Sequence, residues 1–140
     1  MLLHMAGTGK PMTSAQLAGY LGTNAVVVRR TMSGLREAGI VRSGKGHGGG
    51  WTLARELPAI SVGEVYAALG APALFAIGNR NDNPDCLVEK AVNAALGETL
   101  REAEAMVVNR LAAVSLADIA AGFGDRMLEF HDVMNRKGIR

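Results

Sequence analysis

The sequence predicts a mainly helical protein with one small β-hairpin, and three observations carry that expectation. Hydrophobic residues make up 49% of the chain and include seven Met, but only three Phe, two Tyr and one Trp. That balance favours packed helices, because strands draw on β-branched and aromatic side chains. Apolar residues recur at helical spacing in several segments. Between them the run Gly44–Gly50, with five glycines, is flanked by two short β-prone stretches. At 140 residues the chain can bury one core, with no room for a second compact domain of ordinary size.

The first seven residues, MLLHMAG, read as the closing turns of an apolar helix. Leu2, Leu3 and Met5 appear at once with no capping residue ahead of them, so the natural start of this helix is expected upstream. After Pro11, Thr13 or Ser14 can cap a short helix running to Leu21, with Leu17, Ala18 and Leu21 facing one core and Gly22 breaking it. Thr23 or Asn24 can accept hydrogen bonds from the free amides of the next helix, which runs to about Ala38 and closes at Gly39. Ile40–Arg42 and Trp51–Leu53 then pair as a hairpin whose tip carries Lys45 and His47.

Pro58 and Ser61 introduce a helix over Val62–Leu69, ended by Gly70. The stretch Ala71–Asp85, with two prolines, Gly78 and the polar run Asn79–Asn83, reads as an exposed loop between two halves of the chain. From Cys86 to about Val114 the residues Leu96, Leu100, Ala103, Val107, Leu111 and Val114 alternate steps of four and three, the stripe of a helix packing along a partner. Such a helix is roughly 40 Å long at about 1.5 Å per residue. Ser115–Asp118 resembles a capping box opening a last short helix. The tail to Arg140 shows only weak amphipathicity around Met127–Met134.

Charge divides the chain at the same place. Residues 1–56 hold seven Lys/Arg against Glu37 and Glu56, whereas residues 57–140 hold eight Lys/Arg against eleven Asp/Glu. A basic N-terminal half suits a polyanion, and an acidic remainder is better placed away from one. Helix, tight turn, helix and glycine-tipped hairpin, in that order, make a winged helix-turn-helix. The expected organisation is therefore a DNA-binding head over 1–56 and a helical dimerisation region over 57–140. The long helix outruns what the head can cover, so a twofold partner is expected on its stripe; folding back on its own head is the alternative.

If the second helix of the motif buries Val28, Met32 and Leu35, its other face presents Val26, Arg29, Arg30 and Ser33, with Asn24 and Val27 near the end that enters a major groove. Arginines can bridge phosphates or fork onto guanine, Asn24 can reach bases or backbone, and a valine can touch a thymine methyl. Lys45, Gly46 and His47 on the wing would lie over phosphates or reach the minor groove. A glycine loop can also cradle a nucleotide phosphate, but no Gly-Lys-Ser/Thr follows this one.

Residues 13–55, and above all Asn24-x-Val26-Val27-Val28-Arg29-Arg30, Leu35-Arg36-x-Ala38-Gly39 and Gly48-Gly49-Gly50-Trp51, resemble the Rrf-two family of bacterial repressors. That family includes the iron–sulfur-cluster regulator and the nitric-oxide-sensing repressor. The likeness extends more weakly through Ile60–Leu69, the Cys86 helix and Ser115–Ile119. It implies a homodimer crossing over long C-terminal helices, double-stranded DNA as partner, and DNA-reading positions at Thr23, Asn24, Val26, Val27, Arg29, Arg30 and Lys45. Cluster-bearing members carry three closely spaced cysteines before the long helix. Here only Cys86 stands there, and one thiolate cannot hold a [2Fe–2S] cluster.

His4, His47 and His131 share no ligand spacing, so neither metal nor cofactor is expected. Cys86 as a redox sensor, a plain structural role for it, and a small-molecule signal all stay open. No catalytic set is legible and no enzyme is expected. No apolar run approaches the roughly 20 residues of a membrane span, so a cytoplasmic protein away from membranes is expected. The alternative function is a winged helix used for protein interaction or RNA binding, against which stands the shortage of aromatic platforms in the basic half, Tyr20 and Trp51 alone.

Overall fold

The computed structural model describes residues 1–46, 48–75 and 86–123. In chain order the elements are α1 (Leu2–Thr8), α2 (Ser14–Leu21), α3 (Ala25–Glu37), β1 (Val41–Ser43), β2 (Trp51–Leu53), a 3-10 turn (Leu57–Ala59), α4 (Val62–Ala68), α5 (Leu87–Ala112) and α6 (Leu116–Ala121). This is a mainly helical winged helix-turn-helix with a two-stranded wing and a long C-terminal helix. His47, the segment 76–85 of the expected loop, and the tail with Met127–Met134 and His131 lie outside the described residues.

Local chemistry sets most boundaries. Thr13 and Gln16 form a reciprocal capping box at α2, and Ser61 with Glu64 and Ser115 with Asp118 do the same at α4 and α6. Each box satisfies two backbone donors that a helix start otherwise leaves open. Asn24 caps α3 by accepting from Val26 N–H at 2.7 Å. Between α2 and α3 the chain turns at Gly22, whose φ of 60° lies in the left-handed region.

The core gathers Leu2 and Met5 of α1, then Met12 ahead of α2, Leu17 and Ala18 of α2, Val28, Met32 and Leu35 of α3, Ile40 and Val41, and then Ile60 and Leu116. Val28, Met32 and Leu35 recur one helical turn apart, so they form a single buried stripe on α3. Leu21 departs from the expectation: it is 44% exposed. Its angular position on α2 suits the core, but it sits a turn beyond Leu17 at the helix end, where the core stops.

The hairpin pairs Val41 with Leu53, Arg42 with Thr52 and Ser43 with Trp51. The first strand begins one residue later than expected, at Val41; Ile40 just ahead of it is fully buried, and its carbonyl still accepts from Ala54 N–H. Met12 adds a bridge on the far side of β2, exchanging both backbone hydrogen bonds with Trp51. The Trp51 indole N–H donates to Ser14 Oγ at 3.0 Å, fastening the wing to the start of α2.

The head and the long helix are joined by a second bridge. Val62 N–H donates to Val114 carbonyl and Leu116 N–H to Ile60 carbonyl. The helices α4 and α5 cross closely where Gly63 backs onto Ala112; a Cβ on Gly63 would come within 2.8 Å of the Ala112 Cα. The core thus continues past residue 56 through Ile60 and Leu116, and α6 packs on the head through Leu116 and Ile119.

Candidate nucleic-acid interface

The buried stripe of α3 dictates what its opposite face shows. Val26 is 63% and Val27 54% exposed, Arg29 and Arg30 are exposed, and Thr23 and Asn24 stand exposed at the amino-terminal end. Among the described residues neither arginine is held in an ion pair, so both guanidinium forks are open to phosphates or base edges. Ser33 is half-buried and its hydroxyl lies 3.5 Å from Glu37 Oε1, which turns it toward its own helix. Asn24 spends its Oδ1 on the helix cap, which leaves its amide nitrogen as the group able to donate outward.

The wing comes up beside this face. Gly44 N–H donates to Gly50 carbonyl and Gly49 N–H to Gly46 carbonyl, closing the tip, with Lys45 and Gly46 exposed on it. Of the three consecutive glycines, Gly48 takes a left-handed φ of 86°, and the other two answer a spatial demand. A Cβ on Gly49 would fall 2.5 Å from the Gly44 carbonyl oxygen, and one on Gly50 would fall 2.8 Å from the Met12 carbonyl oxygen. Only residues lacking Cβ let the returning strand pass this close. Arg29 and the wing residues Ser43, Gly44, Gly46, Gly49 and Gly50 line one crevice of about 330 Å³.

Of the expected contact residues, Arg29 and Gly46 share that crevice, Val26, Val27, Arg30 and Lys45 are exposed, and His47 falls outside the described residues. The other expected group lies elsewhere, on α5 and, for Val114, just past its end, since the helix stops at Ala112 and not at about Val114 as expected. There Leu96 is 52% and Val107 40% exposed, while Leu100, Ala103, Leu111 and Val114 are half-buried. Sequence reasoning missed the continuation of this stripe: Val88 and Val92 are also exposed, as are Leu87 and Met106 to its sides. Val88, Val92 and Leu96 repeat every four residues, the signal that extends the stripe back to the helix start.

Cys86 is exposed and occupies the N-cap position of α5. The amide N–H groups of Glu89 and then Val88 hold its thiol below the ordinary thiol value, although Glu89 also brings an opposing charge. Thiolate character at a helix start follows from the open amides and the dipole.

Comparison with known proteins places these features. The family model described as iron-dependent transcriptional regulator, Rrf2, matches residues 1–122. The chain belongs to the Rrf2 (Rrf-two) family. It is 36% identical over 119 residues to YwnA, an inferred HTH-type transcriptional regulator of Bacillus subtilis (strain 168), covering 84% of this chain and 88% of the relative. The crystal structure of an inferred DNA-binding protein is similar at 35% identity and a TM-score of 0.62, covering 78% of this chain and 84% of that one. A transcriptional regulator from Lactobacillus plantarum shares the fold, with a TM-score of 0.69 at 20% identity, over 94% of this chain and 90% of that one.

The Rrf2 relatives are regulators of transcription with a DNA-binding winged helix, not enzymes. The iron in the family description is tested by the donors present. This chain has one cysteine, and a [2Fe–2S] cluster takes four ligands, as a rule thiolates. Among the described residues no three His, Cys, Asp or Glu side chains gather as metal ligands. The residues present do not fit a cysteine-held cluster. Among the described residues no helix is long and apolar enough to cross a membrane.

Proposed function

We propose that this Rrf2 protein is a sequence-specific double-stranded DNA-binding regulator in the cytoplasm, acting as a homodimer on a pseudo-palindromic site and repressing by occluding a promoter. The observation that carries the reading is the exposed face of α3, where Val26 and Val27 stand near the exposed Arg29 and Arg30, with Arg29 beside the glycine-tipped wing. Valine methyls without another partner suit thymine methyls, and the arginine forks suit guanine edges or phosphates. Thr23, Asn24, Ser33, Lys45, Gly46 and His47 complete the proposed contact set. Residues 1–56 carry it, and residues 57–140 carry dimerisation.

The dimer reading is supported by α5, 26 residues of helix without one buried side chain. Its stripe of Leu96, Leu100, Ala103, Val107 and Leu111, with Val114 just past the helix end, is taken as the seam, extended by Val88 and Val92. A twofold axis across it sets two recognition helices about one turn of DNA apart, which requires matching half-sites.

Selection of duplexes from a random-sequence library, at two salt concentrations and with reduced and oxidised protein, tests this directly. Recovery of a pseudo-palindrome is the expected result, and its loss on oxidation would assign Cys86 a sensing role. Recovery of only salt-labile, sequence-blind binding would favour an interaction module instead.

A further inference from the structure

A cleft of about 640 Å³ between α1 and the hairpin belongs to neither surface described above. Met5 and Leu57 form part of its apolar wall, and Lys10, Arg42, Arg55 and Glu56 supply its charge. The three cations come from separate segments: Lys10 follows α1, Arg42 is the middle residue of β1, and Arg55 follows β2. The pleat decides which way Arg42 faces. Val41 is buried in the core and Leu53 packs against it, so Arg42 and its partner Thr52 stand on the opposite side. Ser43 and Trp51, which line the Arg29 crevice, share the parity of Val41 and Leu53. The cleft thus lies around the hairpin from the face that α3 addresses.

Its donors are only partly used. Arg42 Nε donates to Thr52 Oγ1 at 3.0 Å, leaving its terminal nitrogens available. One terminal nitrogen of Arg55 pairs with Glu64 Oε1 at 2.8 Å, but its Nε is buried without an acceptor among the described residues. Buried guanidinium donors are rarely left so, and an unfilled one marks a place where an acceptor is wanted. Counting Glu56 and Glu64, three cations face two carboxylates. Guanidinium forks match the planar or tetrahedral oxygens of carboxylates and phosphates, and a lysine adds a point charge. The volume lies within the roughly 300–1,000 Å³ of ordinary ligand pockets.

The geometry points to this cleft as a binding site for a small oxyanion, a carboxylate or phosphate compound held by Lys10 and Arg42 with Arg55 beneath. Such an occupant ties the wing strand β1 to the end of α1. Its presence is therefore felt at the tip that carries Lys45.

Calorimetric titration of the full chain with inorganic phosphate, citrate and adenosine monophosphate, at constant ionic strength and without DNA, tests the site independently of the DNA-binding reading. Saturable binding of at least one probe is expected, weakened tenfold or more by Arg42→Ala and by Lys10→Ala while the circular dichroism of both variants stays that of the parent. No saturable binding of any of the three, or binding that both substitutions leave unchanged, overturns the proposal. So does a result in which Arg42→Ala lowers only the affinity and salt slope for duplex DNA, since the cleft would then serve flanking phosphates.

Discussion

The two principal helices of this Rrf2 protein expose apolar side chains in different company. On α3 the exposed Val26 and Val27 share their side with Arg29 and Arg30, while the opposite stripe of Val28, Met32 and Leu35 is buried. On α5 the exposed Val88, Val92, Leu96 and Val107 recur on one side, with Glu89, Arg101 and Glu102 among the other exposed positions, and no stripe is buried at all. A helix that has already committed one face to the core can offer the other to a charged ligand. A helix that has buried no stripe still has apolar area to cover.

The largest effect separating the two should come from the α5 stripe. The double substitution Val92→Glu, Leu96→Lys keeps helix-forming residues in a favourable i, i+4 order but makes the proposed seam polar. Each buried Val or Leu contributes about 1.5–3 kcal/mol and counts once in each protomer. The dimer should weaken by at least about a thousandfold, which is about 4.1 kcal/mol, as measured by sedimentation equilibrium. An unchanged dimer would move the seam elsewhere. Next in size, Leu35→Ala on the buried side of α3 should cost about 2–5 kcal/mol in urea denaturation, since Leu35 is only 1% exposed.

Substitutions on the open face of α3 should spare the fold. Arg30→Ala is expected to lose about 1–3 kcal/mol of affinity for the selected site in fluorescence anisotropy, and Lys45→Ala to lower the salt slope by about one. If both variants bind as the parent does, the proposed docking of α3 and the wing is wrong. The smallest effect concerns the start of α5. Because the thiol of Cys86 is held below its ordinary value, its thiolate persists to lower pH than in the unfolded chain. The pH midpoint of iodoacetamide alkylation should lie lower for the folded protein than in urea, and equal midpoints would show that the helix amides do not act on it.

Much of the fold was legible because its signals are local. The capping boxes at Ser61 and Ser115, the cap at Asn24 and the stop at Gly22 involve residues within three or four positions of one another. The stripe of Val28, Met32 and Leu35 needs only helical periodicity to be read. What escaped is of another kind. Leu21 has the right angle on its helix and is exposed because the core ends before reaching it, a fact about the neighbours of α2. The back half of the α5 stripe, Val88 and Val92, obeys the same spacing as Leu96 but starts nearer the helix boundary than the expected seam.

By itself the sequence determined the order of helix, turn, helix and glycine-tipped hairpin, the polarity of the two faces of α3 and the absence of a three-cysteine cluster motif. All of these depend on residue type and short-range spacing. Tertiary structure alone decided the rest. The triple glycine at 48–50 is read as a wing tip from sequence, but Gly49 and Gly50 are required by the Gly44 and Met12 carbonyls that pass within Cβ distance, and Gly48 by its left-handed φ of 86°. The Ile60–Leu116 contact that seats α6 on the head, and the meeting of Lys10, Arg42 and Arg55 around one cleft, join segments far apart in the chain. Spacing cannot encode such meetings, because they depend on how whole elements pack.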